Sequence, residues 1–263
     1  MTERDPDSLS ILGVSVSVFD ACEDALELIR RRILTQERTL CIAINPEKVY
    51  RAKQDARLRT ILNSAQVRLC DGVGISLAAM LLHRRFLPRC TGIELFSRLV
   101  GLSAEEGWKV FLLGTTPATN DTACRELLRR FPGLKIAGRW HGYFEDSAAV
   151  VNRINESGAD LLIVAMGSPR QEFWISEHMP QLKTTFLMGV GGSLDVVAGR
   201  VRRAPRLFQK TGTEWLFRMT LQPSRLNRVW GLVLFTLELL RAMRHLEMGS
   251  VQSPAPTLNR RLP

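Results

Sequence analysis

One carboxylate in this sequence stands where a proton transfer could be carried out. Asp71 directly follows a candidate strand, Gln66–Cys70, and precedes glycines at positions 72 and 74. Ligands of open α/β sheets bind at the carboxyl ends of strands, and glycines allow the backbone to approach them closely. Asp71 is therefore the candidate general base. The alternative is that Asp71 only caps a helix predicted from Ile75 to His83.

A second candidate is the corner at residues 167–171. The continuous apolar run Leu161–Met166 predicts a buried strand, and it stops where a helix can begin with Pro169 in its first turn. A helix N-terminus exposes unpaired N–H groups and positive partial charge, so this corner favours an anionic ligand such as a diphosphate. The alternative is an ordinary turn. The residues predicted to bind here are Gly167, Ser168, Arg170 and Gln171.

Three more polar features follow predicted strands or precede predicted helices. Asn45 ends the run Thr39–Ile44 and either caps the next helix or points into a site. Arg89 belongs to a basic cluster that either faces solvent or holds a phosphate. The loop at 189–195 has three glycines and ends in Asp195, and with Gly191 it could wrap a nucleotide.

Several reaction classes lack their signature residues. There is no P-loop, HExxH, GxSxG or paired Cys and His pattern, and the only DxD, Asp5–Asp7, lies in a polar N-terminal arm. No GxGxxG follows a strand with an acid about twenty residues later, which argues against a nicotinamide-dependent oxidoreductase. We expect neither a metal nor a cofactor. The remaining groups suit transfer from a nucleotide diphosphate donor to an alcohol.

The elements that would position these groups alternate between strand and helix. A hairpin or edge strand at 9–19, a helix opened by a capping box of Asp20 and Glu23, and a strand at 39–44 come first. Strands at 109–113, 134–138, 160–166 and 184–188 then alternate with helices at 117–130, 146–156 and up to 178. This order predicts an α/β fold, a Rossmann-like and mostly parallel sheet with flanking helices.

Composition indicates a globular protein that stays in the cytoplasm. The chain has 263 residues, of which 45% are hydrophobic, enough for one α/β domain with an appendage. Its five cysteines are widely spaced, so we interpret them as small buried hydrophobic residues in a reducing compartment. The N-terminus is polar and contains acids, unlike a secretory signal.

The positive charge is concentrated at the C-terminal end. Residues 200–263 contain twelve basic and three acidic residues, whereas the preceding part has 24 and 23. The apolar segment Val229–Leu240 is shorter than the roughly 20 residues needed to span a bilayer, so we predict an interfacial helix on anionic lipid. The alternatives are a helix docked on the domain or a nucleic-acid-binding tail. We predict a core at 1–199, a membrane-associating appendage at 200–249 and a disordered tail at 250–263.

Taken together in this order, these motifs resemble the WecG/TagA/CpsF glycosyltransferases over most of residues 9–228. The resemblance is carried by Asn45–Lys48, Asp71–Gly74, Arg89 with Thr91 and Gly92, Gly142–Phe144, Gly167–Glu172, Gly189–Gly192 with Asp195, Arg203–Pro205, Glu214–Arg218 and Gln222–Arg225. It implies a metal-independent, inverting transferase. The enzyme would add a β-linked sugar to the first sugar of a polyprenyl-diphosphate carrier at the cytoplasmic face of the bacterial inner membrane.

The resemblance also implies roles for single residues. Asp71 matches the base, and Asn45, Arg89 and Gln171 match positions that shape the donor and acceptor pocket. The arginines that would close over the site and contact the diphosphate are Arg218, Arg225 and Arg228.

The resemblance leaves the donor sugar open. The teichoic-acid branch has a threonine two residues before the asparagine, and this chain has Ala43. This departure places the N-acetylmannosamine donor of that branch in doubt. On overall resemblance alone, we expect glucose from UDP-glucose, in exopolysaccharide assembly of the xanthan type. The alternative donors are UDP-N-acetylmannosamine and its uronate, and self-association remains open.

Overall fold

The protein is built on a six-stranded, all-parallel sheet preceded by a small hairpin. The computed structural model describes residues 6–205, 207, 208, 214, 217 and 226–251. The hairpin strands are β1 (Ser8–Ile11) and β2 (Val14–Ser17). The sheet strands are β3 (Thr39–Ile44), β4 (Val67–Cys70), β5 (Lys109–Gly114), β6 (Lys135–Trp140), β7 (Leu161–Ala165) and β8 (Phe186–Gly189), in the spatial order β4-β3-β8-β7-β5-β6.

The helices cover both faces of this sheet. They are α1 (Cys22–Leu34), α2 (Pro46–Gln54), α3 (Ala56–Ser64), α4 (Val73–His83), α5 (Gly92–Glu106), α6 (Pro117–Arg130), α7 (Ser147–Glu156), α8 (Arg170–His178), α9 (Ser193–Val197) and α10 (Leu226–Val251). Strand side chains alternate between two apolar clusters: Leu162 and Val164 of β7 belong to one, Leu161 and Ile163 to the other. Both faces are buried, as parallel sheets require, and the predicted fold class is confirmed.

Two predicted helix starts are wrong by one residue. Helix α1 begins at Cys22, so Asp24 rather than Glu23 is its third residue, and the Asp24 carboxylate accepts hydrogen bonds from the backbone N–H groups of Ala21 and Asp20. Helix α8 begins at Arg170, and Pro169 occupies the N-cap position instead of the first turn. The alternative that Asp71 caps helix α4 is also wrong, because Gly72 and not Asp71 is the N-cap residue of that helix.

The cysteines do not all behave as predicted. Cys22, in the first turn of α1, forms a disulfide with Cys90, which lies just before α5 and 68 residues further along the chain. The interpretation as unpaired buried residues is wrong for these two and holds for Cys41, Cys70 and Cys124. Sequence spacing could not show the pairing, because only the packing of α1 beside α5 brings the two sulfurs together.

The C-terminal helix is longer than predicted and docks on the core. Helix α10 packs against α2 and α4, and it buries Phe235 and Leu239 in one of the two apolar clusters. Lys53 of α2 pairs with Glu238 of α10. This contact supports the alternative of a docked helix for that part of the segment. Among the described helices, none combines the length and the apolar content needed to cross a bilayer.

The disulfide gives a count of thiols that can be measured. Without reductant, the denatured protein should expose three reactive thiols, and after reduction all five. Reduction should also lower the free energy of unfolding by about 4 kcal/mol, because the bond closes a long loop in the unfolded chain. Thiol titration and denaturant unfolding measure the two effects. Cys124→Ser is the control, since it should remove one thiol and leave the effect of reduction unchanged. Five thiols before reduction would contradict the bond.

Candidate active site

One cavity of about 960 Å³ runs along the carboxyl edge of the sheet. Because all six strands point the same way, the segment after every strand contributes to its lining. The cavity is lined by all nine core residues that the sequence singled out: Asn45, Asp71, Arg89, Gly167, Ser168, Arg170, Gln171, Gly191 and Asp195. The predicted base and the predicted anion-binding corner therefore face the same space.

The side chains of the three arginines predicted to close over the site are not described by the structure. Arg218 and Arg225 lie outside the described residues, and of Arg228 only the backbone, within α10, is described. Their contact with a diphosphate stays a prediction.

Asp71 lies at the end of the β3–β4 pair. Its backbone N–H donates to the Ile44 carbonyl at 2.8 Å, which continues the ladder by one residue and fixes where the side chain leaves the sheet. The first turn of α5 approaches the carboxylate closely: a methyl group at Gly92 would lie 3.9 Å from Asp71 Oδ2 and 3.1 Å from the Ala43 methyl group. Arg89, which precedes α5, lies 3.7 Å from Glu214.

The thiol next to Asp71 is not a candidate nucleophile. Burial raises the pKa of Cys70 to about 11, and the charge of Asp71 adds to this effect, while Ser76 and Arg89 oppose it. Since the thiolate is the reactive form, Cys70 is inert at neutral pH. The carboxylate of Asp71 is the group of this corner that is suited to accept a proton.

A buried ion pair joins the corners after β3 and β7. Lys48 Nζ lies 2.8 Å from Glu172 Oε1 and also donates to the Ala43 carbonyl at 2.8 Å; the two side chains are 6% and 2% exposed. Burial alone would raise the pKa of Glu172, but the charge of Lys48 and hydrogen bonds from Lys48 and Gln171 outweigh it and hold that pKa below its usual range. Glu172 therefore remains ionised at neutral pH.

Gln171 carries this network to the glycine-rich loop. Its Nε2 donates to Glu172 Oε1 at 3.0 Å, and its Oε1 accepts from the Gly191 N–H at 2.9 Å. The side chain lies directly on the end of β8, where a methyl group at Gly189 would come within 2.6 Å of Gln171 Nε2. These contacts engage one of the two N–H donors of the amide and orient the remaining one.

The opposite end of the cavity is held by two further hydrogen bonds. Thr115 Oγ1 donates to Asp195 Oδ1 at 2.9 Å, which ties the corner after β5 to helix α9. Arg170 donates to the Gly142 carbonyl at 2.7 Å and so joins the corners after β7 and β6. A guanidinium has five N–H donors, so this contact leaves Arg170 able to bind an anion as well.

Sequence reasoning gave no role to three residues that line this cavity, Lys48, Thr115 and Tyr143, or to Glu172, the buried partner of Lys48. Lys48 and Glu172 lie inside the motifs that carry the family resemblance. The signal in the sequence that could have identified them is a charged residue in the short segment that follows a predicted buried strand. Among the described residues, no group of three or more His, Cys, Asp or Glu is arranged to hold a metal ion.

Comparison with known proteins agrees with the resemblance. The model of the glycosyl transferase WecG/TagA/CpsF family matches residues 9–248. A Staphylococcus aureus (strain NCTC 8325) protein is 34% identical over 207 residues, covering 78% of this chain and 81% of the relative. A Bacillus spizizenii (strain W23) protein is 32% identical over 203 residues, covering 77% and 79%. Both carry the name N-acetylglucosaminyldiphosphoundecaprenol N-acetyl-beta-D-mannosaminyltransferase.

These names correct the predicted donor. The expectation of glucose transfer in xanthan-type exopolysaccharide assembly is wrong, because the relatives are named as transferases of N-acetylmannosamine. Ala43 in place of a threonine had placed that sugar in doubt, and the names of the relatives outweigh this single departure.

The buried ion pair predicts a large and pH-dependent loss of stability. Lys48→Met leaves Glu172 charged and unpaired, and this should lower the free energy of unfolding by about 3–5 kcal/mol at pH 7. In the wild type, the lowered pKa of Glu172 adds stability that is present above about pH 4.5 and lost as pH falls through the folded-state pKa. In Lys48→Met, burial of Glu172 without its partner raises the pKa of that carboxyl. The difference in free energy of unfolding between the wild type and the variant should therefore decrease as pH falls towards 5.

Denaturant unfolding between pH 5 and 8 measures this difference. Lys53→Met is the matched control, because Lys53 pairs with Glu238 at the surface with its side chain 50% exposed. Loss of this solvent-screened pair should lower the free energy of unfolding far less than loss of Lys48. The double variant Lys48→Met/Glu172→Met should recover most of the stability. Equal losses in the two single variants would contradict the importance of the buried pair.

Proposed function

We propose, because this chain belongs to the WecG/TagA/CpsF family of glycosyltransferases, that it transfers N-acetylmannosamine from UDP-N-acetylmannosamine to the sugar of a polyprenyl-diphosphate acceptor. The donor and acceptor follow the names of the relatives. The observation that carries the proposal is a single cavity lined by Asp71 on one side and by the donor-rich corners after β7 and β8 on another.

The reaction needs a proton acceptor and a stabilised leaving group. Asp71 takes the proton from an acceptor hydroxyl as that oxygen attacks the anomeric carbon, and the bond between that carbon and the diphosphate oxygen breaks. Attack opposite the leaving group inverts the anomeric centre and gives the β linkage implied by the family resemblance. UDP departs with the bonding electrons, so its diphosphate gains negative charge.

The protein offers fixed positive groups for this charge. The first turn of α8 supplies backbone N–H groups, and the Arg170 side chain adjoins it. The Gly191 loop, held by Gln171, presents further backbone to the donor. Asp195, fixed by Thr115, is placed to accept hydrogen bonds from ribose or sugar hydroxyls. Asn45, which caps α2 through the Lys48 N–H, lies on the acceptor side with Arg89.

The acceptor places the enzyme at a membrane surface. A polyprenyl chain stays in the bilayer, so we propose that the protein works as a peripheral protein on the cytoplasmic face of the inner membrane. The cationic C-terminal part, with Arg241 and Arg244 on α10, would face anionic head groups. Arg218, Arg225 and Arg228 would contact the acceptor diphosphate.

The base is tested by Asp71→Asn. Because the amide cannot accept the proton, kcat should fall by about 10²–10⁴, with little change in the KM for the donor. Transfer of radiolabelled sugar from a panel of UDP-sugars onto a lipid diphosphate N-acetylglucosamine measures both rate and donor. The panel contains N-acetylmannosamine, its uronate, N-acetylglucosamine and glucose.

Asp121→Asn is the matched control, since Asp121 forms surface ion pairs with Arg125 and Arg139 outside the cavity. It should leave kcat unchanged. Full turnover by Asp71→Asn would remove the assigned base, and preference for another donor would refute the proposed sugar.

Membrane association is tested by flotation of the full chain. It should float with anionic vesicles, less with zwitterionic ones, and lose part of the binding in high salt, because the attraction of the basic segment is screened. A gel shift with duplex DNA under the same salt conditions is the counter-experiment. Binding to DNA without flotation would favour the nucleic-acid alternative.

A further inference from the structure

Helix α4 packs Ile75 and three small residues inwards, and several of its large apolar residues point outwards. It buries Ser76, Ala78 and Ala79, whereas Leu77 is 54% exposed and Leu81 is 41% exposed. Large apolar side chains of soluble proteins normally lie inside, so such an outward face indicates a ligand or partner. The other large exposed side chains of this helix and the loop after it are Val73, Met80 and Phe86.

Helix α10 extends this surface on the other side of the cavity. It packs against α4, and it exposes Trp230, Val233, Leu237 and Leu240 while burying Phe235 and Leu239. The cavity reaches this place: Leu77 and Leu81 of α4 and Leu232 and Leu240 of α10 line it together with Asp71. We refer to these four leucines as the leucine wall.

We propose that the leucine wall binds the first isoprenoid units of the acceptor, so that the enzyme recognises the lipid as well as the sugar diphosphate. This inference rests on the proposed function. Polar groups, among them Asp71 and Arg89, and the four leucines line the same cavity, as an acceptor with a sugar diphosphate at one end and a hydrocarbon at the other requires. The sugar hydroxyl lies at Asp71, the diphosphate near Arg89, and the chain continues over the leucines.

Charge around the wall fits a ligand drawn from a membrane. Arg84 and Arg85, both exposed, follow α4 and precede the exposed Phe86. Cations beside an apolar helix face lie at the level of anionic head groups when the face meets a bilayer. The wall would therefore open towards the leaflet that contains the acceptor, which lets the chain enter the cavity from the side.

The length of the hydrocarbon chain on the acceptor tests whether the leucine wall binds that chain. The full-length enzyme is assayed in detergent with two acceptors, N-acetylglucosaminyl diphosphate esterified to a farnesyl chain or to a methyl group. The wild type should prefer the farnesyl acceptor in kcat/KM. Leu77→Gln and Leu81→Gln should each reduce that preference roughly tenfold, the effect of about two methylene groups losing an apolar partner.

Leu128→Gln is the matched control. Leu128 lies on α6, is 43% exposed and does not line the cavity, so this variant should keep the wild-type preference. Binding of farnesyl diphosphate against inorganic diphosphate, followed by calorimetry, gives a readout independent of transfer. The wild type should bind the farnesyl compound more tightly, and the two wall variants should lose that difference.

The outcomes separate this inference from the proposed function. Transfer to both acceptors without a preference for farnesyl would overturn the leucine wall and keep the transferase. Preferential farnesyl diphosphate binding without transfer of any sugar would keep the wall and refute the transferase. Wall variants that lose vesicle flotation but keep the farnesyl preference would assign the wall to the bilayer. If the wild type forms a concentration-dependent dimer by light scattering, and wall variants lose the dimer but keep the farnesyl preference, the wall binds a second copy of this chain. Assignment of the wall to the bilayer or to a second copy would each overturn the proposal.

Discussion

The parallel direction of six strands is the constraint on which the rest of this molecule depends. Each strand delivers its carboxyl end to the same edge, and most of the helices that follow begin there with N–H groups that have no partner within the helix. Short polar motifs that are far apart in the sequence therefore line one cavity. Such an edge suits an anionic substrate, because the backbone itself supplies donors and partial positive charge before any side chain is added.

The corners around the cavity are also bound to one another. The pair of Lys48 and Glu172 joins two of them, and Gln171 extends the connection to the loop at Gly191. Charges this deeply buried are retained only with partners, so the network resists separate movement of the corners. We interpret the network as support for the geometry at which donor and acceptor meet. As a consequence, the stability of the protein is sensitive to acid and to the loss of either partner of the ion pair.

The site has a polar side and an apolar side. Towards β5, β6 and β7 it offers hydroxyl, carboxylate and guanidinium groups, and towards α4 and α10 it offers leucines. A molecule that is a sugar at one end and a hydrocarbon at the other matches this division. The helix α10 thus has two surfaces, one packed on the core through Phe235 and the other exposed.

Hydrophobic periodicity and the turn residues after each strand are local properties, so the amino-acid sequence predicted the fold class, the strand ends to within two residues and the nine core residues that line the cavity. It also predicted the basic C-terminal part. It did not predict the ion pair of Lys48 with Glu172 or the disulfide of Cys22 with Cys90, and it left the docking of α10 as an alternative. These contacts join residues that are 68 or more positions apart. Only the tertiary structure decides them, because no local pattern specifies which distant side chain will share a buried space.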